Sequence, residues 1–192
     1  IDYIRTKGTI TNVAIENLMV QMDEQRSGES VESIPLEAVE PGQIAVIVVT
    51  PGPGIARIFA SLGAADIIEG GQTMNPSTEE ILTAIENLPT DSIVLLPNNK
   101  NIIMAAEQAA ELTVKNATVV RSISVPQGIA AMLNLVPDGD LEEVVSGMKE
   151  ALSDVLTGEL TVATRSVVID DVEVMEGQVI GLLDDRLVVA GD

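Results

Sequence analysis

The sequence from residue 44 to residue 135 repeats one pattern four times: an aliphatic run, a loop rich in glycine, proline or amides, and a helical segment. Continuous aliphatic runs are typical of strands buried on both faces of a parallel sheet. Strands that alternate with helices are joined by right-handed crossovers. The pattern therefore predicts an α/β fold, an open parallel sheet with helices on both faces. The predicted strands are IAVIVVT at 44–50, ADIIEG at 65–70, SIVLLP at 92–97 and ATVVRSI at 117–123.

Helical spacing of apolar residues predicts helices over 55–63, 77–88, 101–114 and from 129 onward. Ser77 with Glu80, and Asp140 with Glu143, have the spacing of capping boxes at helix starts. The second of these predicts a further helix that runs to about residue 156.

Beyond this helix the apolar pattern changes to alternation, in the stretches ELTVATRSVVID, VEVMEG, VIGLLDD and RLVVAG. Alternation bounded by turn residues predicts short antiparallel strands. We therefore expect an α/β lobe over 41–137, followed by a smaller β-rich α+β lobe over 138–192. Whether this second lobe is truncated stays open.

The first 40 residues differ from the rest. GTITNVAIEN at 8–17 is rich in β-branched residues and predicts a strand, whereas 23–40 is polar and acidic and predicts a linker. The chain begins at Ile1 in the middle of a pattern, so we expect it to be part of a longer protein.

Composition excludes several functions. The chain contains no cysteine and no histidine, which rules out Ser–His and Cys–His catalysis within it and removes the commonest metal ligands. The formal charge of −20 repels nucleic acid, and aromatic residues make up only 1%. No apolar run is long enough for a membrane span, and we expect a cytoplasmic location. The acidic pairs are most simply solvated, and no spacing supports a metal site.

The loops after the four predicted strands carry glycines, amides and hydroxyls, with Lys100 as the one fixed positive charge among them. Because the carboxyl ends of parallel strands meet at one edge of a sheet, we expect these loops to form a ligand or partner edge. Glycine allows close backbone approach, and helix N-termini attract anions. The candidate site residues are Gly54, Gly71, Gln72, Thr73, Asn75, Ser77, Asn98, Asn99, Asn101, Gln127 and Gly128.

A structural interpretation of the same residues stays open. Ser77 and the asparagines can serve as helix caps and turn residues, the PGPG segment at 51–54 can shape a tight crossover, and loop-to-loop hydrogen bonds can account for the whole set. On the binding interpretation, we expect replacement of Asn98 or Gln72 by alanine to disturb binding more than folding.

Three motifs, GGQTMNPSTEEILTAI, LLPNNKNIIMAAEQAA and SVPQGIAA, resemble in order and spacing the C-terminal part of bacterial dihydroxyacetone-kinase-like proteins. That family is the large subunit of fatty acid kinase, also described as DAK-phosphatase, and the resemblance implies a DegV-like fold. It also implies that residues 1–22 are the tail of a preceding middle domain. ATP and Mg²⁺ are expected in a missing N-terminal domain, with no cofactor in this fragment.

The resemblance further implies that this region docks a DegV-like fatty-acid-binding protein, and that the parent protein forms a homodimer. No catalytic or metal-binding residue is carried over to this sequence. Two other functions stay open: a small-ligand or fatty-acid binding module in its own right, and a phosphotransferase or phosphatase that acts alone. The second is supported only by the family description, and we expect the fragment to be inactive by itself.

Overall fold

The computed structural model describes residues 31, 34–71, 74–169, 172–184 and 186–191. The strand predicted at 8–17, the tail predicted at 1–22 and the candidate residues Gln72 and Thr73 lie outside these ranges.

The first part of the described chain is a parallel sheet of four strands in the order β2-β1-β3-β4. Its strands are β1 (Ala45–Thr50), β2 (Asp66–Glu69), β3 (Ser92–Leu96) and β4 (Asn116–Val119). All three neighbouring pairs are parallel, with Ile47 of β1 opposite Asp66 of β2 and Leu95 of β3. The predicted fold class is therefore confirmed.

Within the described ranges, five helices accompany this sheet. They are α1 (Gly52–Ser61), α2 (Thr78–Asn87), α3 (Ile103–Leu112), α4 (Val125–Met132) and α5 (Leu141–Ser153). None of the helices in the described ranges combines the length and apolar character needed to cross a membrane.

The residues of β1 alternate between two aliphatic cores. Val46 and Val48 pack on one face with Phe59, Val145 and Met148, which come from α1 and α5. Ala45, Ile47 and Val49 pack on the other face with residues of α2 and α3. Every side chain of β1 is buried, as expected for the central part of a three-layer α/β structure.

Helix α5 belongs to the core of the parallel sheet, although it follows the boundary predicted at residue 137. Its side chains Val144, Val145 and Met148 are buried in the same cluster as β1 and Phe59. The boundary itself stays a prediction, but the packing ties α5 to the α/β layers and not to the strands that follow.

The remaining strands are antiparallel, as the alternation predicted. They are β5 (Gly158–Val162), β6 (Val167–Ile169), β7 (Val172–Val174), β8 (Val179–Leu183) and β9 (Arg186–Gly191). Strands β5, β8 and β9 form one sheet in that order, and β6 pairs with β7. A small cluster around Ala163, Val174 and Ile180 is the core of this part.

Two predicted loops are wrong in extent, because the helices begin earlier than the spacing indicated. Residues 52–54 form the first turn of α1, and residues 126–128 lie in the first turn of α4. Each of these turns contains a proline, whose fixed φ and missing N–H suit the start of a helix. The fourth strand also ends at Val119 instead of continuing to residue 123.

Candidate functional site

A cavity of about 430 Å³ lies at the carboxyl ends of β1, β3 and β4, where the sequence predicts that the strand-end loops meet. We call it the carboxyl-edge cavity. It is bounded by residues from the parallel sheet and from the antiparallel strands. Its lining residues are Val49, Pro51, Gly70, Gly71, Pro97, Asn98, Asn99, Lys100, Asn101, Ile123, Ser124, Val125, Pro126, Thr157, Glu159, Thr161 and Leu182.

Asn98 joins three strand ends at the floor of this cavity. Its side chain is 7% exposed and donates from Nδ2 to the carbonyl oxygen of Val49 at 3.0 Å. The Ser122 hydroxyl donates to Asn98 Oδ1 at 2.7 Å and accepts from the Asn98 backbone N–H at 3.0 Å. Asn98 also has a φ of 52°, a left-handed conformation that asparagine tolerates better than most residues.

These contacts give Asn98 a structural role. Two of its hydrogen bonds are made by the side chain, and loss of a buried partner typically costs about 1–3 kcal/mol. The contacts predict a substantial effect of Asn98→Ala on folding, and the expectation that this substitution would disturb binding more than folding stays a prediction.

Two glycines at this edge permit close approach of neighbouring groups. A Cβ atom added to Gly128 would lie 2.0 Å from Asn98 Oδ1, so α4 packs directly against the Asn98 amide. A Cβ added to Gly70 would lie 2.8 Å from side-chain atoms of both Val49 and Pro76. Such distances are incompatible with any side chain unless the neighbours move.

Other predicted site residues use their polar atoms locally. Ser77 caps α2: its hydroxyl accepts from Glu80 N–H at 3.2 Å, and Glu80 Oε2 accepts from Ser77 N–H at 2.7 Å. This confirms the predicted capping box, and the hydrogen bonds from Ser77 lower the pKa of the Glu80 carboxyl. Asn99 Oδ1 accepts from Asn101 N–H at 2.9 Å.

Gln127 connects two segments behind the cavity. Its Oε1 accepts from Ile123 N–H at 2.8 Å, and its Nε2 donates to the Leu152 carbonyl at 3.3 Å. Because both ends of the amide are occupied within the chain, this side chain positions α4 against the end of α5.

The structure brings together some of the predicted site residues. The cavity is lined by Gly71, Asn98, Asn99 and Asn101. Gly54 lies in α1, Asn75 and Ser77 are exposed before α2, and Gln127 and Gly128 lie in α4, all outside the cavity lining. Residues that follow all four parallel strands therefore meet at one edge, but only part of the predicted set lines the cavity, and the role of these residues in binding stays a prediction.

The sequence interpretation missed the contribution of the antiparallel strands. Thr157, Glu159, Thr161 and Leu182 line the cavity, and the Thr157 hydroxyl lies 2.7 Å from the Ser124 hydroxyl. Alternation in β5 places Glu159 and Thr161 on the same face, but no spacing indicates that this face turns toward the sheet edge.

Most of the hydrogen-bonding groups at this edge are neutral. Backbone groups, amides and hydroxyls are supplemented by Lys100 and Glu159, which bring charges of opposite sign. Among the residues that the structure describes, no group of three or more carboxylate, thiol or imidazole side chains is placed to hold a metal ion. The fold and this edge define an α/β protein with a pocket of mixed polar and apolar lining at the carboxyl ends of its strands.

The chain belongs to the FakA-like C-terminal family of fatty acid kinase subunits, whose family model matches residues 45–192. The resemblance found in the sequence motifs is therefore confirmed. Among curated proteins, the chain is 39% identical over 191 residues to an uncharacterized protein of Staphylococcus saprophyticus, a match over 98% of this chain and 35% of that protein. It is 40% identical over 188 residues to an uncharacterized protein of Staphylococcus aureus strain USA300, over 97% of this chain and 34% of that protein. The chain thus spans about a third of the length of these relatives.

Proposed function

We propose that this chain is the module of a fatty acid kinase large subunit that docks a DegV-like fatty-acid-binding protein. In this arrangement a domain upstream in the parent protein binds ATP and Mg²⁺ and phosphorylates the carboxylate of the bound acyl chain. The chain itself supplies a surface that holds the acyl carrier, and no step of phosphoryl transfer is assigned to its residues. Membership of the family supports the general role.

The observation that carries the docking proposal is the exposure of large apolar side chains in the antiparallel strands. All five residues of β5 are exposed, and Leu160 is 78% exposed. Large contiguous exposed apolar patches on soluble domains mark surfaces that other molecules cover. The α/β layers bury most aliphatic residues of their strands and expose large apolar side chains mainly on helices and loops, such as Met104 and Val114, whereas in the antiparallel part the strands themselves expose them.

Isothermal titration calorimetry tests the proposal directly. The chain is titrated with a DegV-like fatty-acid-binding protein from the same genome, loaded with fatty acid, at two temperatures. We expect saturable binding with a negative heat-capacity change, because burial of apolar surface produces that signature. Absence of a binding heat at high micromolar concentration at both temperatures contradicts the proposal. Because burial of apolar surface makes the binding enthalpy change with temperature, this enthalpy cannot be zero at both.

A second candidate function, binding of a small molecule or fatty acid by this chain itself, rests on the carboxyl-edge cavity. Its volume of about 430 Å³ is in the range of small-molecule sites. Its lining mixes apolar side chains such as Val49 and Leu182 with Lys100 and the asparagines. Native mass spectrometry of freshly purified protein would detect a retained ligand, and a mass equal to that of the bare chain under gentle conditions counts against this function.

A further inference from the structure

The two outer strands of the parallel sheet differ in charge. The order β2-β1-β3-β4 leaves β2 and β4 each with one edge that no strand of the described chain pairs. Strand β2 carries carboxylates at Asp66 and Glu69, and charged side chains on an edge strand oppose pairing with another strand. Strand β4 has the sequence NATV and carries no charge. The β4 edge therefore lacks the protection that the β2 edge has.

Part of the β4 backbone faces away from the sheet. Asn116 and Val120 donate their N–H groups to carbonyl oxygens of the segment that contains β3, at 2.8 and 3.0 Å. Because a strand directs the backbone groups of successive residues to opposite sides, the N–H and C=O groups of Ala117 and Val119 face the open edge. The Ala117 N–H donates to the Lys115 carbonyl at 3.0 Å. The Val119 N–H and the two carbonyls remain for pairing with a further strand.

A groove with a volume of about 350 Å³ lies between β4 and α5, and we call it the β4–α5 groove. Its lining includes Asn116 and Thr118 from β4 and Glu142, Ser146 and Lys149 from α5. The three helix residues are exposed, and their spacing places them on one face of α5. Among the described residues, neither Glu142 nor Lys149 forms an ion pair through its side chain. The open strand edge thus lies beside a helix face with one unpaired acid and one unpaired base.

The charges of this groove complement one another under twofold symmetry. Glu142 and Lys149 lie on either side of Ser146 along the same helix face. In a contact between two identical surfaces, each residue that contacts a second residue is contacted by it in return. A twofold axis near Ser146 therefore places Glu142 of each copy beside Lys149 of the other, which gives two ion pairs. The formal charge of −20 on each copy opposes association, but charges outside the contact are screened over about 8 Å at physiological ionic strength.

We propose that the β4 edge and the groove face of α5 form a self-association surface, on which a second copy of this chain pairs its β4 with β4 in antiparallel orientation. The pairing joins two four-stranded sheets into one of eight strands, and the Val119 N–H of each copy donates to the Ala117 carbonyl of the other. The two α5 helices lie side by side on the same face of the joined sheet. This inference goes beyond the docking of an acyl carrier and does not depend on it. The contact is small, so the dimer is weak and dissociates on dilution, and unfolding in dilute solution reports on the monomer.

Exchange of the two charges tests this surface, with the full chain followed by sedimentation equilibrium at physiological ionic strength. Glu142→Lys and Lys149→Glu each bring like charges together in the dimer, and each is expected to weaken association by about tenfold. The double variant restores opposite charges with the polarity reversed, and its dissociation constant should return close to that of the unmodified chain. Glu150→Lys is the matched control, because it makes the same change of charge on α5 outside the groove lining.

The strand pairing is tested separately at Val119. Val119→Pro removes the N–H that donates across the contact, and proline is tolerated on an edge strand whose N–H faces outward. This variant should form no dimer, while its circular dichroism spectrum in dilute solution should match that of the unmodified chain. Hydrogen exchange of the unmodified chain gives a second measurement that needs no folded variant. The Val119 amide should exchange more slowly in concentrated protein than in dilute protein.

Three results overturn this inference. One is an unmodified chain that remains a monomer at millimolar concentration, whichever other segment or protein then covers the β4 edge. Another is a dimer that both single charge variants leave unchanged, or that the double variant fails to restore. The third is a Val119 exchange rate that does not depend on protein concentration. None of these results bears on the proposed function, which is tested by titration with the acyl-carrying protein.

Discussion

The amide of Asn98 lies directly against the Cα of Gly128, so that a methyl group at position 128 would be 2.0 Å from Asn98 Oδ1. Gly128→Ala must therefore displace either α4 or Asn98, and overpacking of this kind costs about 1–3 kcal/mol. Chemical denaturation should show this loss. Gly54→Ala is the matched control: nothing lies within 4 Å of the added Cβ, and alanine is preferred in a helix.

The same contact predicts a coupling between the two positions. Asn98→Gly removes the amide and keeps the left-handed backbone accessible. In that background Gly128→Ala should cost clearly less than it does in the unmodified chain. Equal costs in the two backgrounds would mean that the clash does not involve the Asn98 side chain.

Asn98→Ala should lower stability more than Asn98→Gly does. Both substitutions remove the hydrogen bonds to Val49 and Ser122, but alanine is also strained at a φ of 52°. Urea unfolding should show a loss of at least about 1–3 kcal/mol for Asn98→Ala. A stability equal to that of the unmodified chain would return Asn98 to a role in binding alone.

Lys115 should stabilise the end of α2. Its Nζ donates to the carbonyl oxygens of Ile85, Glu86 and Leu88 at 2.9, 3.3 and 2.6 Å. A cation at a helix C-terminus satisfies unpaired carbonyls and interacts favourably with the helix dipole. Lys115→Met should cost about 1–2 kcal/mol in thermal or urea unfolding, since hydrogen bonds from charged groups contribute more than neutral ones. Lys149→Met, at an exposed position on α5, should have little effect.

The cap of α2 predicts a dependence of stability on pH. The pKa of Glu80 is lowered by its hydrogen bonds from Ser77, so the folded state favours the ionised carboxylate. The contribution of this carboxylate to the free energy of unfolding is complete above the ordinary pKa of 4.5. It is lost as the pH falls through the lowered pKa of Glu80 in the folded state. Glu80→Gln should flatten the stability profile in this acidic range. Glu79→Gln removes a charge from the same helical turn without the cap, and its profile should stay close to that of the unmodified chain.

The pKa of Asp66 is shifted in the opposite direction from that of Glu80. Burial at the start of β2 raises the pKa of its carboxyl above 3.8, and a hydrogen bond from Ile67 N–H at 2.8 Å offsets only part of that shift. Stability should therefore fall as the pH rises from the ordinary to the raised pKa, because the folded state holds the proton more tightly. Asp66→Asn keeps an acceptor for Ile67 and should be more stable than the unmodified chain at pH 7. The difference should shrink in acid, and a destabilised Asp66→Asn at pH 7 would contradict this account.

Sequence patterns are most reliable where one local feature decides the structure. The capping residues Ser77 and Asp140 begin α2 and α5 as predicted, because an N-cap side-chain oxygen accepts hydrogen bonds from backbone N–H groups two or three residues further along the chain. The patterns fail where proline can serve a loop or a helix equally well. They predict loops at Pro53 and Pro126, yet each of these prolines lies in the first turn of a helix.

The sequence was enough to predict that the strand-end loops meet at one edge of the sheet. It was not enough to predict which side chains make contact there. The order of aliphatic runs required that Gly71 and Asn98 lie at the same edge. That Gln127 turns its amide to Ile123 and Leu152 depends on where α5 ends relative to α4. The contact with Leu152 joins residues 25 positions apart in the chain, and a local pattern holds no information about it.

The sequence by itself determined the repeating order of strand, loop and helix, the aliphatic character of the core and the change to antiparallel strands. The reason is that the spacing of apolar residues is a local property, and each spacing suits either a helix or a strand. Only the tertiary structure decided that β5 presents Glu159 and Thr161 to the cavity and leaves Leu160 and Val162 exposed. The physical reason is that an alternating strand has two faces, and which of them turns toward the cavity is decided by packing against segments elsewhere in the chain.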